Sequence, residues 1–266
     1  MKFSEQVLLG KTGLKVGRLG IASGYGTPAA AIEEAFERGC TYMTWGTFIK
    51  GYSSNMREAI RTIVAKGRRE QMVVAMFSYA HQTSLTEHFL VKALKSAGLD
   101  YADILILGYF SWRPSQRIID GAIRLKEKGL VRFLGLSGHN RKLFPKLNQE
   151  DIFDVFHIRY NAVHRGAETE IFPFLTNQSR SGIINFTATA WSKLLNPKKI
   201  PAGEKLPTAV DCYRFVLSNP LIDVCMTGTK TYEEMKENLT VLERGPMTQD
   251  ELERMRRIGD YIYGRR

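Results

Sequence analysis

The chain has 266 residues, 44% of them hydrophobic, which is typical of a globular protein with a sizeable core. No apolar run reaches membrane-spanning length and the N-terminal segment lacks a signal-peptide core, so we expect a cytoplasmic protein that makes no membrane contact. The formal net charge is +11, but the basic residues are spread along the chain and not interleaved with stacking aromatics, which argues against a nucleic-acid partner.

Two short apolar runs, 7–9 and 14–16, flank the turn signal GKTG and predict a β-hairpin. The pattern then becomes regular, because each apolar run predicted as a strand is followed by a segment predicted as a helix. The predicted strands cover residues 19–23, 41–45, 72–78, 102–108, 131–137, 153–160, 182–188 and 221–228. The predicted helices cover 28–39, 54–67, 84–98, 114–129, a shorter segment near NRKLFPKL, AETEIFPFLTNQ, 207–219 and 231–245, and a final helix lies in TQDELERMRRIGDYIYG.

Eight strand–helix units in about 250 residues predict an α/β fold, a (β/α)8 TIM barrel with an N-terminal β-hairpin and an extra C-terminal helix. We expect residues 1–266 to form this single domain, because no linker or low-complexity segment interrupts it. A doubly wound open sheet is the alternative, but the glycines of GIASGYG lack the GxGxxG spacing of a dinucleotide-binding loop. In a TIM barrel the active site lies at the C-terminal ends of the strands.

The three cysteines, Cys40, Cys212 and Cys225, stand far apart in the sequence. They show neither a CxxC pair nor a Cys/His ligand spacing, so we expect no metal site. Each lies in an apolar setting, which predicts a small buried hydrophobic side chain.

Four segments carry a family resemblance: the opening LGKTGLKVGRLG, LDYADILIL, KEKGLVRFLGLS and MTGTKTYEEMKENL. The last three lie at the fourth, fifth and eighth predicted barrel strands. Together they resemble the aldo-keto reductases, and the resemblance covers nearly the whole chain. It implies a reductase of small-molecule carbonyl substrates that uses NADP or NAD, with NADP favoured. We expect a monomer.

The resemblance breaks at the catalytic residues, because the family uses an Asp, a Tyr, a Lys and a His at the barrel mouth. At the corresponding positions this chain has Thr44 for the Asp, Ile49 for the Tyr, Phe77 for the Lys and Gly108 for the His. A buried Lys without its Asp would be an unpaired charge, so a joint loss of the two is physically consistent. We expect Phe77 and Trp45 to fill the vacated space and to make the floor of the site aromatic and apolar.

Two residues are candidate catalytic proton donors. Tyr52 lies three positions beyond the expected Tyr, and His139 ends the fifth barrel strand in SGHN. The alternatives are a surface tyrosine and a loop histidine bonded to backbone. Tyr25, Tyr79 and Tyr109 also lie near strand ends.

The cofactor positions implied by the resemblance are better kept than the catalytic ones. Ser137 stands where a family Ser bonds the nicotinamide carboxamide, and His157 stands where a Gln often contacts it. Phe186 stands where an aromatic ring stacks on the nicotinamide, and Asn161 is assigned to the same end of the cofactor. The implied cofactor-binding residues are Ser137, His157, Asn161, Phe186, Gly228, Thr229, Lys230, Glu237 and Asn238.

The eighth unit predicts an anion site. TGTK leads directly into a helix that begins with a capping-box pattern, Thr231 and Glu234, and helix N-termini favour anions. We expect Gly228 and Thr229 to approach a phosphate there. Glu234 stands where NADP-preferring family members often have Arg, and Lys230 is the residue that compensates. The alternative is a well-capped surface helix.

Three hypotheses about function follow. The first is a divergent NAD(P)H-dependent oxidoreductase that obtains its proton from a non-standard residue or from water. The second is a non-catalytic barrel that binds a nucleotide or another ligand as a sensor. The third, unrelated chemistry at His139, His157 and His164, ranks last, because no metal-ligand or nucleophile–base spacing supports it.

Overall fold

The strands form a hairpin and a closed barrel in the computed structural model, which describes residues 2–48, 52–175 and 179–264. The hairpin pairs β1 (Val7–Leu8) with β2 (Lys15–Val16) in antiparallel fashion. The barrel strands are β3 (Leu19–Ala22), β4 (Tyr42–Gly46), β5 (Val73–Ser78), β6 (Ala102–Leu107), β7 (Val131–Ser137), β8 (Val155–Arg159), β9 (Gly182–Phe186) and β10 (Val224–Thr227). They pair in parallel from β3 to β10, and β10 pairs with β3 to close the barrel.

A helix follows each barrel strand, and a ninth helix ends the described chain. The helices are α1 (Ala29–Glu37), α2 (Ser54–Ala65), α3 (Thr83–Ala97), α4 (Gln116–Glu127), α5 (Leu143–Gln149), α6 (Ala167–Glu170), α7 (Ala209–Leu217), α8 (Tyr232–Leu239) and α9 (Gln249–Tyr263). This confirms the predicted TIM barrel with a hairpin and an extra C-terminal helix. In the described ranges, no helix combines the length and the apolar character that crossing a membrane requires.

Two predicted helices are shorter than expected. In the segment AETEIFPFLTNQ, α6 covers only Ala167–Glu170 and is followed by a 3-10 turn, Phe172–Phe174. Pro173 explains the break, because proline has no backbone N–H to continue an α-helix. The helix predicted over 231–245 ends at Leu239 and continues as a 3-10 turn, Thr240–Glu243.

Side chains alternate along each barrel strand between the interior and the helix-covered outer face. On β4, Tyr42 packs in the interior cluster, whereas Trp45 packs in the outer cluster between strands and helices. The expectation that Trp45 fills the vacated part of the site is therefore wrong. Thr44, on the same strand face as Tyr42, is the residue that reaches the site.

The hairpin closes the N-terminal end of the barrel. Leu9 and Val16 are fully buried and belong to the interior cluster. At Gly182, where β9 begins, a Cβ atom would lie only 2.5 Å from Leu9 Cδ1, so this close approach requires glycine. The opposite, C-terminal end of the barrel is the end that remains accessible to ligands.

The three cysteines are buried and form no disulfide, which confirms them as small buried side chains. Burial raises the pKa of the Cys40 thiol to about 12, so the thiol stays protonated at neutral pH. Among the described residues, no group of His, Cys, Asp or Glu side chains is arranged to hold a metal ion.

Candidate functional site

A cavity of about 780 Å³ opens at the C-terminal ends of the barrel strands. That volume is in the range of small-molecule binding sites. Its wall is formed by residues at the ends of β3, β4, β5, β7, β8, β9 and β10 and by residues of loops at the same end of the barrel, among them Tyr109 after β6. The side chains and glycines nearest its floor are Ala22, Thr44, Gly46, Phe77, Ser137, His157, Phe186, Met226 and Gly228.

Three of the four positions where the resemblance implies catalytic residues can be located. Thr44 and Phe77 line the cavity, and the Phe77 ring meets the His157 ring edge-on at 5.2 Å between centroids. Gly108 lies beside them, and a Cβ atom there would come within 2.9 Å of the Tyr79 ring. The fourth position, Ile49, lies outside the described residues. The described part of the floor is therefore uncharged and partly aromatic.

A buried Tyr–His pair lies beneath the cavity. The Tyr42 hydroxyl is 2.8 Å from His157 Nε2, and neither residue is more than 1% exposed. Burial lowers the pKa of His157 to about 3 and raises the pKa of Tyr42 well above its usual value, so both groups are neutral at physiological pH. Because the buried Tyr42 hydroxyl has no other acceptor among the described residues, we assign its proton to the bond with Nε2, which places the imidazole proton on Nδ1.

This tautomer makes His157 a hydrogen-bond donor toward the cavity. His157 lines the cavity, and among the described residues its Nδ1 has no acceptor. Tyr42 therefore acts on the site through the tautomer of His157, although Tyr42 itself does not line the cavity. Sequence reasoning missed Tyr42, yet its position two residues before Thr44 on a predicted strand placed both side chains on one face.

Three sequence-predicted cofactor residues come together on neighbouring strands. Ser137 ends β7 and stands in register with His157 on β8, and Phe186 ends β9. All three line the cavity. The Ser137 side chain is buried and makes no hydrogen bond to another described residue, so its hydroxyl is available to a ligand.

An arc of rings extends from the floor to the mouth. Phe77 stacks on Tyr79 at 5.7 Å, Tyr79 contacts Tyr109 at 5.4 Å, and Tyr109 stacks on His139 at 5.6 Å. His139 then meets Phe186 edge-on at 5.6 Å. Burial, followed by the influence of Tyr109, raises the pKa of Tyr79, which makes that phenol a weak acid. Tyr109 and His139 are the exposed members of the arc, and both line the cavity.

Tyr52 does not line the cavity in the described part of the chain. Its hydroxyl accepts a hydrogen bond from Arg57 Nη1 at 2.8 Å, and its ring packs 5.4 Å from that of Trp45. Because Trp45 faces outward from the barrel, Tyr52 follows it to the outer side. The structure thus gives no support to Tyr52 as a proton donor.

Asn161 is also absent from the cavity wall formed by the described residues. Its amide nitrogen donates to the Thr187 carbonyl at 2.8 Å, and its Oδ1 accepts from the backbone N–H groups of Val163 and His164. The side chain joins the loops after β8 and β9. Its position supports the wall from behind, and a direct cofactor contact finds no geometric support.

Gly228 and Thr229 line the cavity, but each is already engaged with the loop after β3. A Cβ atom at Gly228 would lie 2.4 Å from the Tyr25 ring, so glycine here makes room for that ring. The Thr229 hydroxyl lies 3.0 Å from that of Thr27, and both side chains are buried. These contacts give the two residues a structural role, and their predicted contact with a phosphate stays a prediction.

The start of α8 carries acidic side chains in its first turn, Glu233 and Glu234. Thr231 caps the helix by accepting from Glu234 N at 3.1 Å, as predicted. The Glu234 carboxylate reaches Lys230 N at 2.7 Å, one residue before the amide that a standard capping box uses. The Lys230 amide is therefore already bonded to the Glu234 carboxylate and is not available to donate to a phosphate.

Farther along α8, Glu237 and Asn238 also line the cavity. Asn238 is buried, and its amide nitrogen donates to Thr227 Oγ1 at 3.0 Å and to the Tyr213 hydroxyl at 3.3 Å. Glu237 is exposed at the wall. Both predicted residues thus face the same cavity as Ser137 and His157.

Comparison with solved structures identifies the fold. An aldo-keto reductase from Bacillus halodurans, AKR11C1, superposes in its holo form with a TM-score of 0.79 at 17% identity, covering 96% of each chain. Its apo form gives a TM-score of 0.77 at 18% identity, over 96% of this chain and 95% of that one. PA4992, a putative aldo-keto reductase from Pseudomonas aeruginosa, gives 0.68 at 17% identity, over 90% and 94%.

These likenesses show that the chain has the aldo-keto reductase fold. No protein-family profile matches the sequence. No curated protein matches it either.

The neutral state of His157 predicts a pH-dependent stability. The folded-state pKa lies below the unfolded value, so its contribution is complete above about pH 6.5 and is lost as the pH falls toward 3. From pH 7 to pH 5 this one group should lower the free energy of unfolding by about 2 kcal/mol. Urea unfolding at both pH values should show a correspondingly smaller loss in His157→Gln.

The matched control is His88→Gln, which changes an exposed histidine on α3 and should leave the pH dependence at the wild-type value. If His157→Gln and wild type lose the same free energy between the two pH values, His157 is not held neutral by the fold.

Proposed function

We propose that this protein is a divergent NAD(P)H-dependent oxidoreductase built on the aldo-keto reductase fold. The observation that carries the proposal is the meeting of Ser137, His157 and Phe186 on three neighbouring strand ends around one cavity. Two of them offer polar groups that no described residue satisfies, and the third offers a ring. The shared fold of the solved aldo-keto reductases supports the same assignment by analogy.

The residues fit the nicotinamide end of such a cofactor. The Ser137 hydroxyl and the His157 Nδ1–H would hold the carboxamide, and the Phe186 ring would lie against the nicotinamide face. A bound nicotinamide supplies a hydride, and the protein supplies binding, orientation and exclusion of water. Because Tyr42 fixes the tautomer of His157, the donor is present at every physiological pH.

The start of α8 fits the 2′-phosphate of NADPH less well than the 2′-hydroxyl of NADH. Glu233 and Glu234 bring two negative charges to the helix start, and Glu234 already bonds Lys230 N. A helix N-terminus attracts anions, but carboxylates in its first turn offset that attraction. We therefore propose NADH in preference to NADPH, in contrast to the expectation from the sequence. Glu237 and Asn238 remain the proposed contacts of the adenine end.

His139 is the proposed proton donor. It lines the cavity mouth, is exposed to solvent and can exchange its proton with water, whereas His157 stays neutral at working pH. The rings of Phe77, Tyr79 and Tyr109 favour a flat or apolar carbonyl substrate. We further propose a monomeric protein that acts on small molecules, without a nucleic-acid partner.

A second function, that of a non-catalytic binding protein, is supported by the residues at the expected catalytic positions. Phe77 and Gly108 stand where the resemblance implies a Lys and a His, and Tyr79 occupies the space beside Gly108. A barrel that keeps nucleotide-binding residues while rings replace its acid–base groups would suit a non-catalytic binding protein. Cofactor binding without turnover of any carbonyl compound would favour this alternative.

Both proposed functions require that the cavity binds a nicotinamide nucleotide, and calorimetric titration with NADH and NADPH tests this. We expect saturable binding at submillimolar concentration. Ser137→Ala should weaken it about three- to tenfold, the effect of one lost hydrogen bond. Ser96→Ala, on α3 and away from the cavity, is the matched control. Absence of binding up to millimolar concentration would reject both proposed functions.

The cofactor preference is tested with Glu234→Arg. Replacing the carboxylate with a guanidinium should raise the affinity for NADPH relative to NADH about tenfold, because a charge-assisted bond to the extra phosphate replaces a repulsion. Glu233→Arg makes the same charge change one residue earlier in the turn. Equal shifts in both variants would indicate a general charge effect and would contradict a specific role of Glu234.

The proton donor is tested by turnover with a panel of aromatic and aliphatic carbonyl compounds. For any substrate that is reduced, His139→Asn should lower kcat about 100-fold, the usual contribution of a general acid. His88→Asn, on the outer face of α3, serves as the histidine control. Unchanged turnover in His139→Asn would assign the proton to another group or to water.

A further inference from the structure

No described residue accepts a hydrogen bond from the Arg159 guanidinium. It is the last residue of β8, stands in register with Phe186 and lies on the same strand face as Val155 and His157. Its Nε is buried without a hydrogen-bond partner, and within residues 2–48, 52–175 and 179–264 the guanidinium forms neither a hydrogen bond nor an ion pair. At the C-terminal end of a barrel strand, this arginine thus keeps a buried Nε–H donor without an acceptor among the described residues.

Two neighbouring arginines, in contrast, each have a carboxylate partner. Arg141 pairs with Glu170 at 2.7 Å, and Arg165 pairs with Asp260 at 2.8 Å. Burial, followed by the positive charge of Arg141, lowers the pKa of Arg159, and the smaller opposing influence of Tyr263 does not cancel this effect. A partly buried cation without a partner destabilises a fold. The stability of the barrel therefore does not explain this residue.

An indole lies over the same guanidinium. The Arg159 Cζ is 5.7 Å from the centroid of the Trp191 ring, which lines the cavity and is 54% exposed. Trp191 lies in a turn of three consecutive left-handed residues, Ala190, Trp191 and Ser192, with φ of 52°, 55° and 62°. Such backbone is strained for residues other than glycine and is concentrated at functional sites. The indole thus contacts both the cavity and Arg159, which does not itself line the cavity formed by the described residues.

We propose that Arg159 and Trp191 form a subsite beside the cavity, at the part of its wall that Trp191 forms, for an anionic group, a carboxylate or a phosphate, on a ligand whose flat part lies against the indole. A planar guanidinium binds either group through two parallel hydrogen bonds. The ligand anion supplies the acceptor that the protein lacks. This subsite does not depend on the proposed cofactor chemistry, because its two side chains lie outside the Ser137 and His157 contacts.

The test uses the intact protein and two simple anions, inorganic phosphate and benzoate, measured by calorimetry. Wild type should bind both, and Arg159→Met should weaken binding about tenfold or more, the effect of losing a charge-assisted contact. Arg159→Lys keeps the charge without the fork and should give an intermediate affinity. Arg61→Met, on α2 at the opposite side of the barrel, is the control for a lost surface charge.

Thermal unfolding without added anion separates binding from a structural role. Arg159→Met should leave Tm unchanged or raise it, because it removes an unpartnered cation. The proposal is overturned if wild type binds neither anion at millimolar concentration, or if Arg159→Met binds both as wild type does. A lowered Tm in Arg159→Met would also contradict it, because it would show that the fold uses this cation.

Two further titrations identify the source of the anion. If Arg159→Met weakens NADH binding but not binding of reduced nicotinamide riboside, the group is a phosphate of the cofactor. If NADH binding is unchanged and benzoate binding to the NADH-loaded protein is weakened, the group belongs to a separate acidic ligand. Absence of NADH binding would reject the proposed function and leave the anion subsite to stand on the phosphate and benzoate results.

Discussion

Closure of the parallel strands into a barrel determines what every side chain at the site can do. In a closed sheet, alternate residues of each strand face the axis, so one position decides between floor and outer layer. Thr44 and Tyr42 therefore point inward while Trp45 packs under the helices. The same rule brings together Ser137 and His157, which are distant in sequence but adjacent in register.

The described floor that results is polar without being charged. Tyr42 and His157 hydrogen-bond to each other and remain neutral, which avoids the cost of burying an ion beside apolar rings. Charged side chains lie farther out: Glu234 lines the cavity by α8, and Arg159 lies beside the cavity, against Trp191. Recognition is thereby divided, with hydrogen bonds and ring contacts near the floor and electrostatic selection at the mouth.

The sequence predicted the barrel well, because parallel strands covered by helices are continuous apolar runs with regular spacing. It also placed Ser137, His157 and Phe186 correctly on the cavity wall. It failed for Trp45 because strand spacing was counted without separating the two faces, and it gave no means of orienting Tyr52. The sequence could not predict that Arg159 lacks a hydrogen-bond partner among the described residues, because the partners of a cation depend on residues distant in the chain.

The plug formed by Leu9 and Val16 has a kinetic consequence. With the far end of the barrel filled, a group that reaches the Tyr42–His157 pair enters and leaves through the C-terminal opening, where Trp191 forms part of the wall. Occupants of the cavity then exchange in sequence, and the one bound deepest arrives first and departs last. The time it stays is set by the release of whatever lies above it as well as by its own contacts. The left-handed turn that carries Trp191 is thus positioned to influence how fast the whole cavity empties.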